Sequence, residues 1–152
     1  MPEAAKACHL RKGRFSESGR IYLLTAVVDQ RKPVFSDWRL GRLVIEQMRV
    51  IDDSPAASSL AWVVMPDHLH WLIELQQDSL ADVMRHLKSR SCQSINLQLG
   101  REGRLWQRGY HDRAMRRDED LKAAARYIVM NPLRAGLVTR LGDYPLWDAI
   151  WL

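Results

Sequence analysis

The chain has 152 residues, 47% hydrophobic and 27% charged, with a formal charge of +5 and two cysteines; this is the balance of one globular domain with its own core. Its longest apolar runs, IYLLTAVV and LAWVVM, are far too short to span a bilayer, and Cys8 and Cys92 lie outside any C-x-x-C pattern, which argues against a disulfide framework or a four-thiolate zinc site. The N-terminus MPEAAKACHLRKGR has no apolar signal core, so the protein is expected in the cytoplasm.

Residues 1–19 read as a basic arm, either a nucleic-acid contact or a flexible tail. RIYLLTAVVDQ (20–30), rich in β-branched and aromatic residues, reads as a buried strand. Ser36 is expected to cap a helix whose apolar positions Leu40, Leu43, Val44, Met48 and Ile51 fall at helical spacing, and DDSPAASS ends it. SLAWVVM and HLHWLIEL then read as two strands joined at Pro66–Asp67, a hairpin. Ser79 with Asp82 three residues on is a capping pattern, and Leu80, Val83, Met84, Leu87 and Ile95 continue a second helix to about Leu99.

A basic stretch overlaps that helix. From Arg85 to Arg117, nine basic residues (Arg85, Lys88, Arg90, Arg101, Arg104, Arg108, Arg113, Arg116 and Arg117) stand against Glu102 and Asp112, an excess of seven that exceeds the charge of the whole chain. Interleaved with Trp106 and Tyr110, it suits a phosphate backbone with stacked bases. A solvated helix face followed by a basic loop would have the same composition, and Trp106 could equally anchor the core.

YHDRAMR is a weak strand candidate. Asp118 can cap a third helix through DEDLKAAARYIVM, which Pro132 should end or interrupt. In the Trp-rich tail, 141–152, Trp147 and Trp151 are four residues apart, which would put both indoles on one side of a short helix or turn. The order strand, helix, strand, strand, helix, strand, helix favours an antiparallel sheet covered by helices, an α+β domain of ferredoxin-like type over residues 20–140.

Two groups of residues carry chemistry. On a strand, positions i and i+2 share a face, so His68 and His70 project together while Leu69 and Trp71 turn away. Two imidazoles so placed can share a metal or simply decorate a strand. On the third helix, Tyr127 and Asn131 are four apart at the edge of the face formed by Leu121, Ala125 and Ile128, so they look out together.

HLH at 68–70 matches the His-hydrophobic-His signature of HUH nucleases, and ARYIVMNPLRAGLV resembles the catalytic helix of single-tyrosine transposases. The ordered blocks VVMPDHLHWLI, LWQRGYHDRAMR, RYIVMNPLRAGLV and YPLWDAIWL closely resemble the REP-associated tyrosine transposases, from about Arg20 to Leu152. The resemblance implies an HUH nuclease fold, Tyr127 as nucleophile, and His68, His70 and Asn131 as metal ligands. It implies Mg²⁺ or Mn²⁺ as cofactor, and single-stranded DNA beside a REP-type hairpin as substrate, cleaved and rejoined through a 5′-phosphotyrosine intermediate. It also implies a monomer, working on the nucleoid. The basic region would then grip hairpin phosphates through Arg85, Lys88, Arg90, Arg104, Arg108, Arg113 and Arg116, with Trp106 or Tyr110 available for stacking. His111 reads as a DNA contact or a loop histidine. Two other readings stay open: a non-catalytic hairpin-DNA binder, and a phosphodiesterase that hydrolyses through water.

Overall fold

The computed structural model describes residues 19–116 and 120–151; the basic arm up to Ser18, with Cys8, lies outside them, as do Arg117, Asp118, Glu119 and Leu152. Five strands form one antiparallel sheet. The central hairpin is β2 (Ala57–Met65) and β3 (His68–Leu75), closed at Pro66–Asp67 as the sequence leads one to expect. β1 (Ile21–Val27) pairs with β3, β4 (His111–Ala114) extends the sheet beyond β1, and β5 (Trp147–Ala149) extends it beyond β2, giving the order β4-β1-β3-β2-β5. An antiparallel sheet layered with helices is the expected α+β architecture.

The tail differs from expectation. Trp147 and Trp151 do not share a helix or turn: Trp147 begins β5, paired with Val63 across the edge of β2. The four-residue spacing gave way to a ladder offered by a strand more than eighty residues upstream. The tail packs on the domain: Tyr144 and Leu146 are buried and Tyr144 Oη donates to Val64 O at 2.5 Å.

Two further helix starts shift by one or two residues. Helix α1 (Trp38–Asp52) is capped by Asp37, whose carboxylate accepts from Arg39 N at 3.0 Å, while Ser36 closes the 3₁₀ turn before it. Helix α3 (Leu121–Val129) is capped by Asp120, which accepts from Ala123 N at 3.0 Å; the expected cap Asp118 lies outside the described residues. Helix α2 (Leu80–Leu99) follows its sequence signals, with Ser79 Oγ accepting from Asp82 N at 3.1 Å and Gly100 ending it at φ +63°. After Met130 the short α4 (Asn131–Arg134) places Pro132 in its first turn, where the missing N–H costs nothing.

Strand alternation gives the sheet two different faces. Tyr22, Leu24, Ala26, Leu69, Trp71, Trp62 and Val64 point to one face and are buried beneath the paired helices α1 and α2. On that side Gly41 of α1 lets Leu146 approach so closely that a Cβ there would sit 2.6 Å from Leu146 Cδ1. The opposite face is only half covered. α3 lies over β2 and β5, burying Ala61, Val63 and Met65, while the part built from β3, β1 and β4 keeps half-buried Ile21, Leu23 and Thr25 and exposed His111 and Arg113. Among the described residues no helix is long and apolar enough to cross a membrane.

Candidate active site

His68 and His70 stand on that second face. Their registers pair His70 with Thr25 on one side and Val63 on the other, and His68 with Val27 and Met65. Both imidazoles are half-buried, with ring centroids 4.9 Å apart and planes at 78°.

Each ring is held by its Nδ1 edge. His68 Nδ1 lies 2.7 Å from Asp67 Oδ1, and His70 Nδ1 lies 2.9 Å from Thr25 Oγ1. Arg31 NH1 donates to the other carboxylate oxygen of Asp67 at 3.3 Å. Partial burial works against ionisation of Asp67, yet its hydrogen bond to His68, the charge there and Arg31 together hold its carboxyl below the usual range. Burial first, then the charges of His68 and Arg134, push His70 down to about 4. A neutral imidazole with its Nδ1 engaged presents Nε2 as a ligand, the arrangement in which partners behind the ring fix its tautomer and direction.

α3 brings the second group. It buries Ala125, Ile128 and Val129 against β2 and β5, so Tyr127 is turned outward and is 65% exposed. Asn131 follows at the first turn of α4 and is half-buried. Arg134 links the two: NH2 donates to Tyr127 O at 2.6 Å and to Asn131 Oδ1 at 2.7 Å, and the guanidinium carbon lies 4.0 Å from the centre of the Tyr127 ring. Since the charge of Arg134 also acts on His70, one guanidinium is within electrostatic reach of that histidine while touching both helical residues.

The donor set fits a divalent cation. Among the described residues no three His, Cys, Asp or Glu side chains gather, so a third protein ligand, if a metal binds beside His68 and His70, would be of another type. Asn131 Oδ1 qualifies, because a carbonyl oxygen that accepts one hydrogen bond keeps a second lone pair. Two imidazoles and an amide oxygen suit Mn²⁺ and can serve Mg²⁺.

The basic residues divide between locations. Arg85 and Arg90 are exposed on α2, on the far side of the sheet from the histidines, and Arg85 pairs with Asp82 at 2.9 Å. Lys88 is occupied with structure: its Nζ donates to Gln107 O at 2.8 Å and to Gly109 O, and lies 5.8 Å from the centre of the half-buried Tyr110 ring. Trp106 is a core residue and not a stacking platform. It is 3% exposed, its Nε1 donates to Ser91 Oγ at 3.0 Å, and its ring tilts against Phe35. Arg104 and Arg108 are exposed in the loop after α2, and Arg113 and Arg116 are exposed on or next to β4. Arg113 and His111 share the histidine face, because their partners on β1 are Leu23 and Thr25.

Sequence reasoning missed Thr25, Asp67 and Arg134. Asp67 had a signal, its position in the turn next to His68, and Arg134 had one in its spacing from Tyr127 and Asn131 along two successive helices. Thr25 had none, since its partner is 45 residues away.

The family described as Transposase IS200 like matches residues 17–131. A protein of Haemophilus influenzae assigned as a REP-associated tyrosine transposase is 26% identical over 142 residues, covering 86% of this chain and 80% of that one. The REP-associated tyrosine transposase of Escherichia coli is 29% identical over 87 residues, 56% of this chain and 50% of its own length. A solved REP-associated tyrosine transposase bound to a REP hairpin superposes with a TM-score of 0.69 at 25% identity, over 88% of this chain and 79% of that one. With the family match spanning most of its length and these likenesses falling on one group, the chain belongs to the IS200-like transposases, and within them it resembles the REP-associated tyrosine transposases.

Proposed function

We propose that this transposase is a metal-dependent single-stranded DNA endonuclease and strand transferase that acts at REP-type hairpins through Tyr127. The observation that carries the reading is the meeting at Arg134, which contacts Tyr127 and Asn131 while its charge reaches His70. The solved relative's REP hairpin supports hairpin DNA as the partner.

Tyr127 Oη attacks the scissile phosphorus in line. The new bond is Tyr127 O–P and the broken one is P–O3′; the phenol proton ends on the departing oxygen, leaving a 5′-phosphotyrosine and a free 3′-OH. A hard divalent cation, Mg²⁺ or Mn²⁺, held by His68, His70 and Asn131 would polarise the phosphate oxygens and ease departure of the 3′ oxygen. Thr25 and Asp67 engage the two Nδ1 atoms, which leaves the Nε2 atoms as the available donors. A phenolate is a good leaving group, so another 3′-OH can reverse the step without a nucleotide cofactor. The exposed Arg104, Arg108, Arg113 and Arg116 supply charge for hairpin phosphates, with Arg113 on the same sheet face as the histidines.

The test incubates the protein with labelled single-stranded hairpin DNA and Mn²⁺ or Mg²⁺ and looks for a covalent adduct on a denaturing gel. Wild type is expected to form one and Tyr127→Phe to form none. An equal yield from Tyr127→Phe would remove Tyr127 as nucleophile, and hairpin binding without any adduct in wild type would favour a binding protein.

A further inference from the structure

Tyr127 poses a problem that its helix does not solve. An in-line attack needs the phenol oxygen held in one place, and misplacement by about 1 Å can cost on the order of a hundredfold in rate. Yet the side chain is 65% exposed, so packing alone does not select one orientation of the ring.

Arg134 provides the missing restraint. Its guanidinium carbon stands 4.0 Å from the ring centre, within the range of a cation–π stack. The same group is fixed at its other side by two hydrogen bonds, to Tyr127 O at 2.6 Å and Asn131 Oδ1 at 2.7 Å. A planar fork can meet a ring face and two acceptors at once, whereas an ammonium is a point charge on a flexible stem. The local fold makes the contact possible: α3 ends at Met130, α4 restarts at Asn131, and Arg134 comes one turn after Asn131, on the side of Tyr127. A guanidinium has five N–H donors, of which two are used in these bonds.

We propose that Arg134 is a positioning residue for strand cleavage, fixing the Tyr127 ring and the Asn131 amide relative to each other. This rests on the reading of Tyr127 as nucleophile. In contact with both side chains, it sets the distance between the attacking oxygen and the candidate ligand.

The experiment compares wild type, Arg134→Ala and Arg134→Lys in two measurements. The first is the single-turnover rate of adduct formation on hairpin DNA at saturating Mn²⁺, with hairpin affinity measured in parallel. The second is the ¹⁹F NMR signal of Tyr127 in 3-fluorotyrosine-labelled protein, identified among the four tyrosines by its loss in Tyr127→Phe. Arg134→Ala is expected to slow the adduct step about a hundredfold, to change hairpin affinity less than tenfold, and to move the Tyr127 signal to the position of a freely exposed tyrosine. Arg134→Lys should restore only part of either, because it keeps the charge and loses the fork. An adduct rate in Arg134→Ala within threefold of wild type, or an unmoved Tyr127 signal, overturns the proposal while leaving Tyr127 as nucleophile. Adduct formation by Tyr127→Phe overturns the underlying reading instead, and this role with it. If Arg134→Ala does not fold, the Arg134→Lys comparison decides by the same two measurements.

Discussion

Thr25 contributes a single hydroxyl to the site, and that hydroxyl holds His70 by Nδ1. A ring held there keeps Nε2 facing outward; a freed ring can exchange tautomers or rotate and must be reordered when a cation arrives. Thr25→Val keeps shape and strand preference while removing the oxygen. It is expected to weaken Mn²⁺ binding by roughly tenfold with little change in thermal midpoint, as read by a Mn²⁺ titration followed by electron paramagnetic resonance. An unchanged titration would show that the Thr25 bond does not direct the ligand. At this scale the sequence was legible where short-range spacing decides, as for His68 with His70 on β3 and Tyr127 with Asn131 across the junction of α3 and α4. It was silent where the partner comes from another strand, as with Thr25, and it left Trp106 between two roles because an indole beside arginines looks alike in a core and on a surface.

At the scale of elements, the C-terminal segment is fastened to the hairpin by Tyr144, whose phenol donates to Val64 O from a buried position. Tyr144→Phe is expected to cost about 1 kcal/mol, measured by urea denaturation at neutral pH. Burial also pushes this phenol up to about 12. The folded state therefore holds the proton more tightly than the unfolded chain, where tyrosine ionises near pH 10. That stability is complete below pH 10 and is lost as pH rises through about 12. Wild type should thus lose stability more steeply than Tyr144→Phe over that interval; parallel curves would mean the hydroxyl is not shielded in solution. β2, β3 and α2 were readable because each carries a clean apolar period and its own turn or cap. β5 was not, because three residues at a sheet edge have no period to read and are made a strand by β2.

For the whole molecule, α3 packs on β2 and β5 of the sheet that also carries the histidines on β3, and on the proposed function one chain supplies the whole set. A mixture of His68→Ala with Tyr127→Phe protein is therefore expected to form no adduct, since neither chain holds a full set; recovery of activity on mixing would mean that helices are exchanged between two chains. The charge distribution makes a separate prediction. Arg104→Ala and Arg108→Ala should each weaken hairpin binding and lower the slope of log affinity against log salt by about 1, without altering which hairpin is preferred. A slope equal to that of wild type would remove that arginine from the phosphate contacts. The α+β layering was legible from element order; which arginines face the histidines was not, because that depends on which side of the sheet each element covers.

The alternation of β3 has an evolutionary consequence. Leu69 and Trp71 are 1% and 0% exposed, while the histidines between and beside them face outward. One parity thus encodes both the core and the chemistry. A one-residue insertion or deletion in this strand would drive imidazoles into the core and an indole into water, and the domain would be lost along with the activity. On the proposed function, a point substitution at His68, His70, Asn131 or Tyr127 would instead remove the chemistry and leave the fold. Such a variant would keep the sheet and its basic surface, and on that reading would still bind hairpin DNA.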